Sequence, residues 1–220
     1  MALATLIAAA SAVVLFENPR LRITDVRLAP GEVGGLETHA FPTLRWQVGQ
    51  GRHRVGAEPE ADVADKAVRW VAAGDSFICT NCGDGEYRQI CWEFKAAPLR
   101  TEARVRELLE QATFTTDVGT ELLFENEYCR AWDFSFPPGG GDARKPHHHV
   151  LDYAFVYVAK GRLLGSHADG TPGLFDSMHE DGGVCWFSIP EGAGRDDAYA
   201  HGGRNGYDDL PMREYLVELK

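Results

Sequence analysis

The sequence predicts an all-β protein of two tandem units joined by a short helical linker. Three observations carry this reading. An internal repeat runs along the chain, each half consists of short alternating or apolar runs punctuated by Gly, Pro and Asp, and one segment between the halves has helical spacing.

The repeat comes first. Leu15-Phe16-Glu17-Asn18 returns as Leu123-Phe124-Glu125-Asn126, and the residues after each tetrad stay in step, with Arg22 meeting Arg130, Asp25 meeting Asp133 and Pro30-Gly31 meeting Pro138-Gly139. The apolar pairs Leu21/Ile23 and Val26/Leu28 answer to Cys129/Ala131 and Phe134/Phe136, so the change of alternation phase is shared, as a bulged strand requires. After a short insertion His39 aligns with His149 and Gly51 with Gly161, and Glu93-Phe94-Lys95 resembles Glu218-Leu219-Lys220. Ordered matches along both halves indicate duplication. Tyr153 to Val158 and Val184 to Ile189 exemplify the strands. Thr101 to Ala112 sets Val105, Leu108, Leu109 and Ala112 on one helical face, with Thr101 as cap. The expected organisation is a first unit over 1–98, a helical linker over 99–117 and a second unit over 118–220.

Bulk properties narrow the function classes. The 220 residues suffice for two domains of about 100 residues, each with its own core. No run approaches the roughly 20 apolar residues of a membrane helix, so no membrane role is expected. The apolar opening, Met1 to Leu15, lacks the basic start of a secretory signal and is read as part of the fold. A net charge of -11 without a Lys/Arg cluster argues against nucleic acid as a partner. Five scattered cysteines suit a reducing compartment, so the expected location is cytoplasmic.

The segment with most chemistry in it runs from Pro138 to Gly161. Gly-rich residues precede Pro146-His147-His148-His149, and an apolar strand then closes on Gly161. Alternation aims His147 and His149 to one side and His148 to the other. Two imidazoles side by side are half of a site for iron, zinc, copper or nickel. Downstream, Pro190-Glu191-Gly192 and His201-Gly202-Gly203-Arg204-Asn205 offer a third histidine at the corresponding place in the repeat.

These segments resemble the two cupin motifs, a Gly-led loop with His-x-His and a strand closing on Gly, then Pro-x-Gly with His-x-x-x-Asn, here with a longer spacer before His201. The resemblance covers most of both halves. It is nearest to small bacterial cupins with an Asn-led first strand, His-x-His-x-x-Asp-Tyr and a Glu-x-Lys ending. It implies two double-stranded β-helix, or jelly-roll, barrels, that is, a bicupin. It also places His147, His149 and His201 at the three histidine positions of the cupin metal site. The usual glutamate position falls on Tyr153 or Ala154. Asp152 is the nearest carboxylate, either a fourth ligand or a residue orienting a histidine. In the first half Glu37 stands for His147 and the Ser76/Phe77 neighbourhood for His201, leaving His39 alone; that barrel is expected to be metal-free, with a structural or dimerisation role.

The function expected is a mononuclear metalloenzyme acting on a small polar, carboxylate-bearing molecule. Dioxygenase-type chemistry on iron(II) is placed ahead of an isomerase or lyase on zinc, manganese or nickel. Tyr153 and Tyr157 are candidates for hydrogen-bonding the substrate. Arg204, with Arg144 and Lys145, is a candidate for holding its carboxylate. The alternative is a non-catalytic small-molecule binding or sensing bicupin with a structural or vestigial metal site; an open pocket at the histidines would favour the enzyme, a filled barrel the binder. His53, His167 and His179 are expected in surface turns. Cys79 and Cys82 sit in a strand-like context and are not expected to act as a redox or zinc pair. Trp46, Trp132, Trp186 and Phe155 are expected to fill the cores, and exposed barrel edges are compatible with a homodimer.

Overall fold

A computed structural model describes residues 11–140 and 146–220, and the chain divides into two compact units between Ala96 and Ala97. The first unit contains β1 (Ser11–Glu17), β2 (Leu21–Leu28), β3 (Val33–Thr38), β4 (Thr43–Val48), β5 (Gly51–Val55), β6 (Ala61–Val63), β7 (Val68–Val71), β8 (Ser76–Asn81) and β9 (Tyr87–Phe94). They form one sheet in the order β1-β2-β9-β4-β7 and another in the order β3-β8-β5-β6.

The second unit opens with α1 (Glu102–Glu110) and continues with β10 (Glu121–Glu125), β11 (Cys129–Phe136), β12 (Asp152–Tyr157), β13 (Gly161–His167), β14 (Pro172–His179), β15 (Val184–Phe187), β16 (His201–Asn205) and β17 (Met212–Leu219). Its sheets run β10-β11-β17-β12-β15 and β14-β13-β16. Phe134, Phe155 and Leu216 of the larger sheet pack with Leu163 of the smaller, so the core lies between the sheets, as in other two-layer β folds.

The repeated residues recur because each performs the same local task twice. Asn18 Oδ1 accepts from the amides of Arg20 and Leu21, both at 2.8 Å, and closes the β1–β2 turn. Asn126 does the same for Tyr128 and Cys129. Glu17 pairs with Lys95, and Glu125 with Lys220 at 2.7 Å. Arg22 reaches Glu93 at 3.2 Å, and Arg130 reaches Glu218 at 2.9 Å. The bulge implied by the phase change lies one strand over from where the pattern shows it. Pairing of β2 with β9 runs unbroken, whereas β1 shifts register between Val14 and Phe16, and β10 between Leu122 and Phe124.

Several expectations require correction. Thr101 does cap α1, its hydroxyl accepting from the Arg104 amide, but Val105 and Leu108 pack on Val150 and Leu151. The segment read as a linker is therefore an apolar cover belonging to the second unit, since an amphipathic face stays out of water only when packed. His53 and His179 lie on β5 and β14 rather than in turns, and both are hydrogen-bonded, to the Tyr87 hydroxyl at 2.7 Å and to Ser177 Oγ at 2.9 Å. Trp186 is half-buried, its indole NH donating to Ser188 Oγ, whereas Trp46 and Trp132 are buried. Cys79 is on β8 and all five cysteines are free thiols. No helix among the described residues is long and apolar enough to cross a membrane.

Asn126→Ala leaves two turn amides without their acceptor. Its cost is expected to be about 1–2 kcal/mol, read as a lower urea midpoint at unchanged slope.

Candidate metal centre

The histidine segment is held by backbone pairing from far along the chain. The His147 amide donates to the His201 carbonyl at 2.9 Å and the His201 amide returns to the His147 carbonyl at 3.1 Å. On the other side, the His148 amide donates to the Thr115 carbonyl at 2.9 Å. This places His147 directly beside His201, with ring centroids 4.7 Å apart. Alternation brings His149 to the same side, 5.2 Å from His147 and 5.3 Å from His201. One ligand atom from each of the three lies within 4.8 Å of the others, and among the described residues no other group of His, Cys, Asp or Glu gathers in this way. His148 points to the opposite side, as alternation requires, yet is fully buried, its Nε2 3.0 Å from Thr113 Oγ1 and its ring edge-on to Phe114.

The electrostatics favour neutral imidazoles. Burial, then the neighbouring imidazoles, hold His149 well below its ordinary value, and burial lowers His201. A neutral imidazole has a lone pair to give, the condition for ligation. His201 Nδ1 lies 3.2 Å from the Tyr199 carbonyl, which can only accept, so that contact selects the tautomer with Nε2 free. The Tyr153 ring stacks on His149 at 3.7 Å and 12° and fixes its plane. Glu218 stands behind His149, one carboxylate oxygen held by Arg130 and by the Trp132 indole at 3.0 Å, the other 3.9 Å from His149 Nδ1, too far for a hydrogen bond. Burial raises Glu218 to about 7, with Arg130 opposing.

The three histidines lie on the wall of a cavity of about 480 Å3 between the sheets. Aromatic and aliphatic side chains such as Phe134, Phe155, Phe175 and Leu216 make most of its surface, and Leu174, Phe187 and Tyr199, exposed at its rim, connect it to solvent.

Other sequence-derived candidates fare differently. Tyr153 does face the cavity, while Tyr157 is fully buried behind its wall. Asp152, one residue out of phase with Tyr153, stands outside the histidine group; its carboxylate accepts from the Ile189 amide at 2.8 Å and ties β12 to the segment after β15. Arg204 is exposed on the outer side of β16, out of phase with His201 and Gly203, and does not reach the cavity. Arg144 and Lys145 lie outside the described residues. Among the described residues no Lys or Arg lines the cavity. In the first unit Glu37 and His39 lie 3.7 Å apart, Glu37 also meets Arg45 at 3.5 Å, and Phe77 lies over His39.

The residue missed from sequence is Glu214, a buried carboxyl facing the cavity from β17. The signal was present: Met212, Glu214, Leu216 and Glu218 alternate on one face, so two carboxylates are in phase with core residues. Burial raises Glu214 from the usual 4.5 to about 8, with the Tyr157 hydroxyl opposing.

That shift has a sign. Between pH 4.5 and about 8 the folded protein holds a proton that the unfolded chain has released. Its contribution to stability is thus fully present below 4.5 and is lost as pH rises through 8. Glu214 alone should make stability fall by up to about 1.4 kcal/mol per pH unit across this window in denaturant titrations; Glu214→Gln removes that share and leaves the share of Glu218, which ends near 7.

No family model matches the chain, and no curated protein does. Solved structures do match. AerE from Microcystis aeruginosa is 11% identical with a TM-score of 0.58, covering 96% of this chain and 97% of its own. Oxalate decarboxylase of Bacillus subtilis, described with Mn(II) centres, is 13% identical with a TM-score of 0.58, covering 95% of this chain and 72% of its own. A cupin domain from Bordetella pertussis, 21% identical over 40% of this chain and 95% of its own, has a TM-score of 0.38.

Proposed function

Starting from the all-β cupin fold that the chain has, we propose that the second barrel is the active site of a mononuclear metalloenzyme acting on a small molecule. The observation that carries the reading is the convergence of His147, His149 and His201 on the wall of an open cavity. A filled barrel would have left nothing for a substrate to enter. Three protein ligands leave coordination positions for substrate, the pattern of catalytic rather than structural metal sites.

The residues fit a divalent first-row ion. One ligand atom from each imidazole lies within 4.8 Å of the others, and burial holds His149 and His201 below their ordinary value, so both keep a lone pair to give. Such an ion would supply Lewis-acid or one-electron chemistry. Iron(II) with dioxygenase-type chemistry leads, and a redox-neutral isomerase or lyase on zinc, manganese or nickel comes second; the Mn(II) centres of oxalate decarboxylase keep manganese in the set.

The chain's own residues do the rest. Tyr153 holds the His149 plane, the Tyr199 carbonyl holds His201, and the aromatic walls exclude water and accept an apolar substrate body. Three neutral ligands leave the ion's charge uncompensated, which favours an anionic group such as a carboxylate at the metal. With Arg204 pointing outward, the ion itself is the group left to attract that anion. The substrate is therefore an acid with an apolar body, less polar throughout than the sequence suggested.

Elemental mass spectrometry of the untagged protein tests this. About one metal per chain is expected, lost in His147→Ala/His149→Ala. Iron with oxygen-dependent turnover would select dioxygenase chemistry, and zinc, manganese or nickel with anaerobic turnover the redox-neutral class. A protein that holds no metal and takes up none of the four would leave a small-molecule binding or sensing bicupin.

A further inference from the structure

The cavity has a second polar point. Glu214 pairs in register with Tyr157, and Glu218 with Tyr153, so Glu214 lies four residues along β17 from the carboxylate behind His149. At a rise of about 3.3 Å per residue that is roughly 13 Å along the strand. Glu214 is 1% exposed, faces the cavity, and its Oε1 has no hydrogen-bond partner among the described residues; the neighbouring Tyr157 hydroxyl has none either. Ser177, whose hydroxyl contacts His179 Nε2, lines the same cavity.

The first barrel serves as an internal control. Phe134 on β11 faces Glu214 on β17, and its repeat equivalent, Val26 on β2, faces Gln89 on β9, so Gln89 and Glu214 occupy the same place. Gln89 Oε1 is satisfied by Arg45 Nε at 2.8 Å. The fold thus accommodates an amide here and can complete its hydrogen bonding from within. In the second barrel Phe155 takes the place of Arg45 and offers no donor, and Glu214 Oε1 is left open toward the cavity. A buried polar group without a partner is destabilising, a cost that a ligand group can recover.

We propose that Glu214, with Ser177 on the wall of the same cavity, anchors an uncharged oxygen-bearing group, a hydroxyl or carbonyl, at the end of the ligand remote from the three histidines. The ligand is then an apolar, ring-sized molecule with an anionic head and a neutral oxygen at its far end. Only the anionic head rests on the metalloenzyme reading. The neutral end derives from the surroundings of Glu214: Tyr157 and Tyr153 from β12 and Cys185 from β15 lie near it, His179 of β14 stacks on Tyr157 and contacts Ser177 Oγ, among the described residues no Lys or Arg lines the cavity, and burial raises the carboxyl to about 8. A protonated carboxyl both donates to and accepts from such an oxygen.

The test uses two probes of one shape, benzyl alcohol and ethylbenzene, titrated calorimetrically into the full chain as purified. Because an alcohol oxygen can also bind a metal ion, the titrations are repeated after dialysis against EDTA, and metal content reports separately on the metalloenzyme reading. The ratio of benzyl alcohol to ethylbenzene affinity is expected to fall about tenfold in Glu214→Leu and to stay within about threefold in Glu214→Gln, which keeps a donor and an acceptor. An unchanged ratio in Glu214→Leu, or no saturable binding of benzyl alcohol to the wild type, overturns the proposal. Should Glu214→Leu not fold, infrared spectra decide. The protonated-carboxyl stretch that is lost in Glu214→Gln should shift in the wild type with benzyl alcohol and not with ethylbenzene; no such difference overturns it equally.

Discussion

The antiparallel ladders that hold β17 between β11 and β12 organise the second barrel. Eight residue pairs join β17 to β11 and six join it to β12, so its backbone is satisfied on both edges and its register cannot slip. Because side chains alternate along a strand, that register decides that Met212, Glu214, Leu216 and Glu218 all face inward. Two of these are carboxylates, and both are buried. One is held by Arg130 behind the histidines; the other is left at the far side of the cavity. A slip of one residue would turn both outward and bring Arg213, Tyr215 and Val217 to the inner face.

Duplication separates what the fold requires from what one barrel does with it. The Asn-closed turn, the Glu–Lys pair and the Arg–Glu pair occur in both units and at equivalent places. They are solutions to building the sheet, and their recurrence says nothing about chemistry. The histidine triad and Glu214 occur in one unit. At the matching positions the other has Glu37 beside Arg45, and Gln89 bonded to Arg45. Arg45 is 2% exposed, so the interior of the first barrel carries its own fixed positive charge. Burial and that guanidinium together lower His39.

Charge explains how the second cavity differs. Among the described residues no Lys or Arg lines its wall, His149 and His201 are held below their ordinary value, and burial raises Glu214 to about 8. In such surroundings a bound divalent ion would be the dominant charge, and with few polar groups to screen it an anion would be drawn there strongly. The aromatic walls oppose placing a second charge elsewhere, which is why an uncharged group suits the other end.

Much of this was legible in one dimension. Repetition with alternation determined the two all-β units, the cap at Thr101 and the shared side of His147 and His149, because strand period and turn chemistry act over a few residues. The third ligand was legible only through motif likeness; what brings His201 to His147 is a pair of backbone hydrogen bonds between segments more than fifty residues apart in the sequence. Arg204 and Asp152 are near the histidines in sequence, yet Arg204 is not among the residues lining the cavity and Asp152 is not in the histidine group, because alternation turns a residue one step out of phase to the other face. Glu214 was overlooked for the converse reason. A strand's own pattern shows which side chains share a face, but only the packing of two sheets decides whether that face meets a filled core or an open cavity.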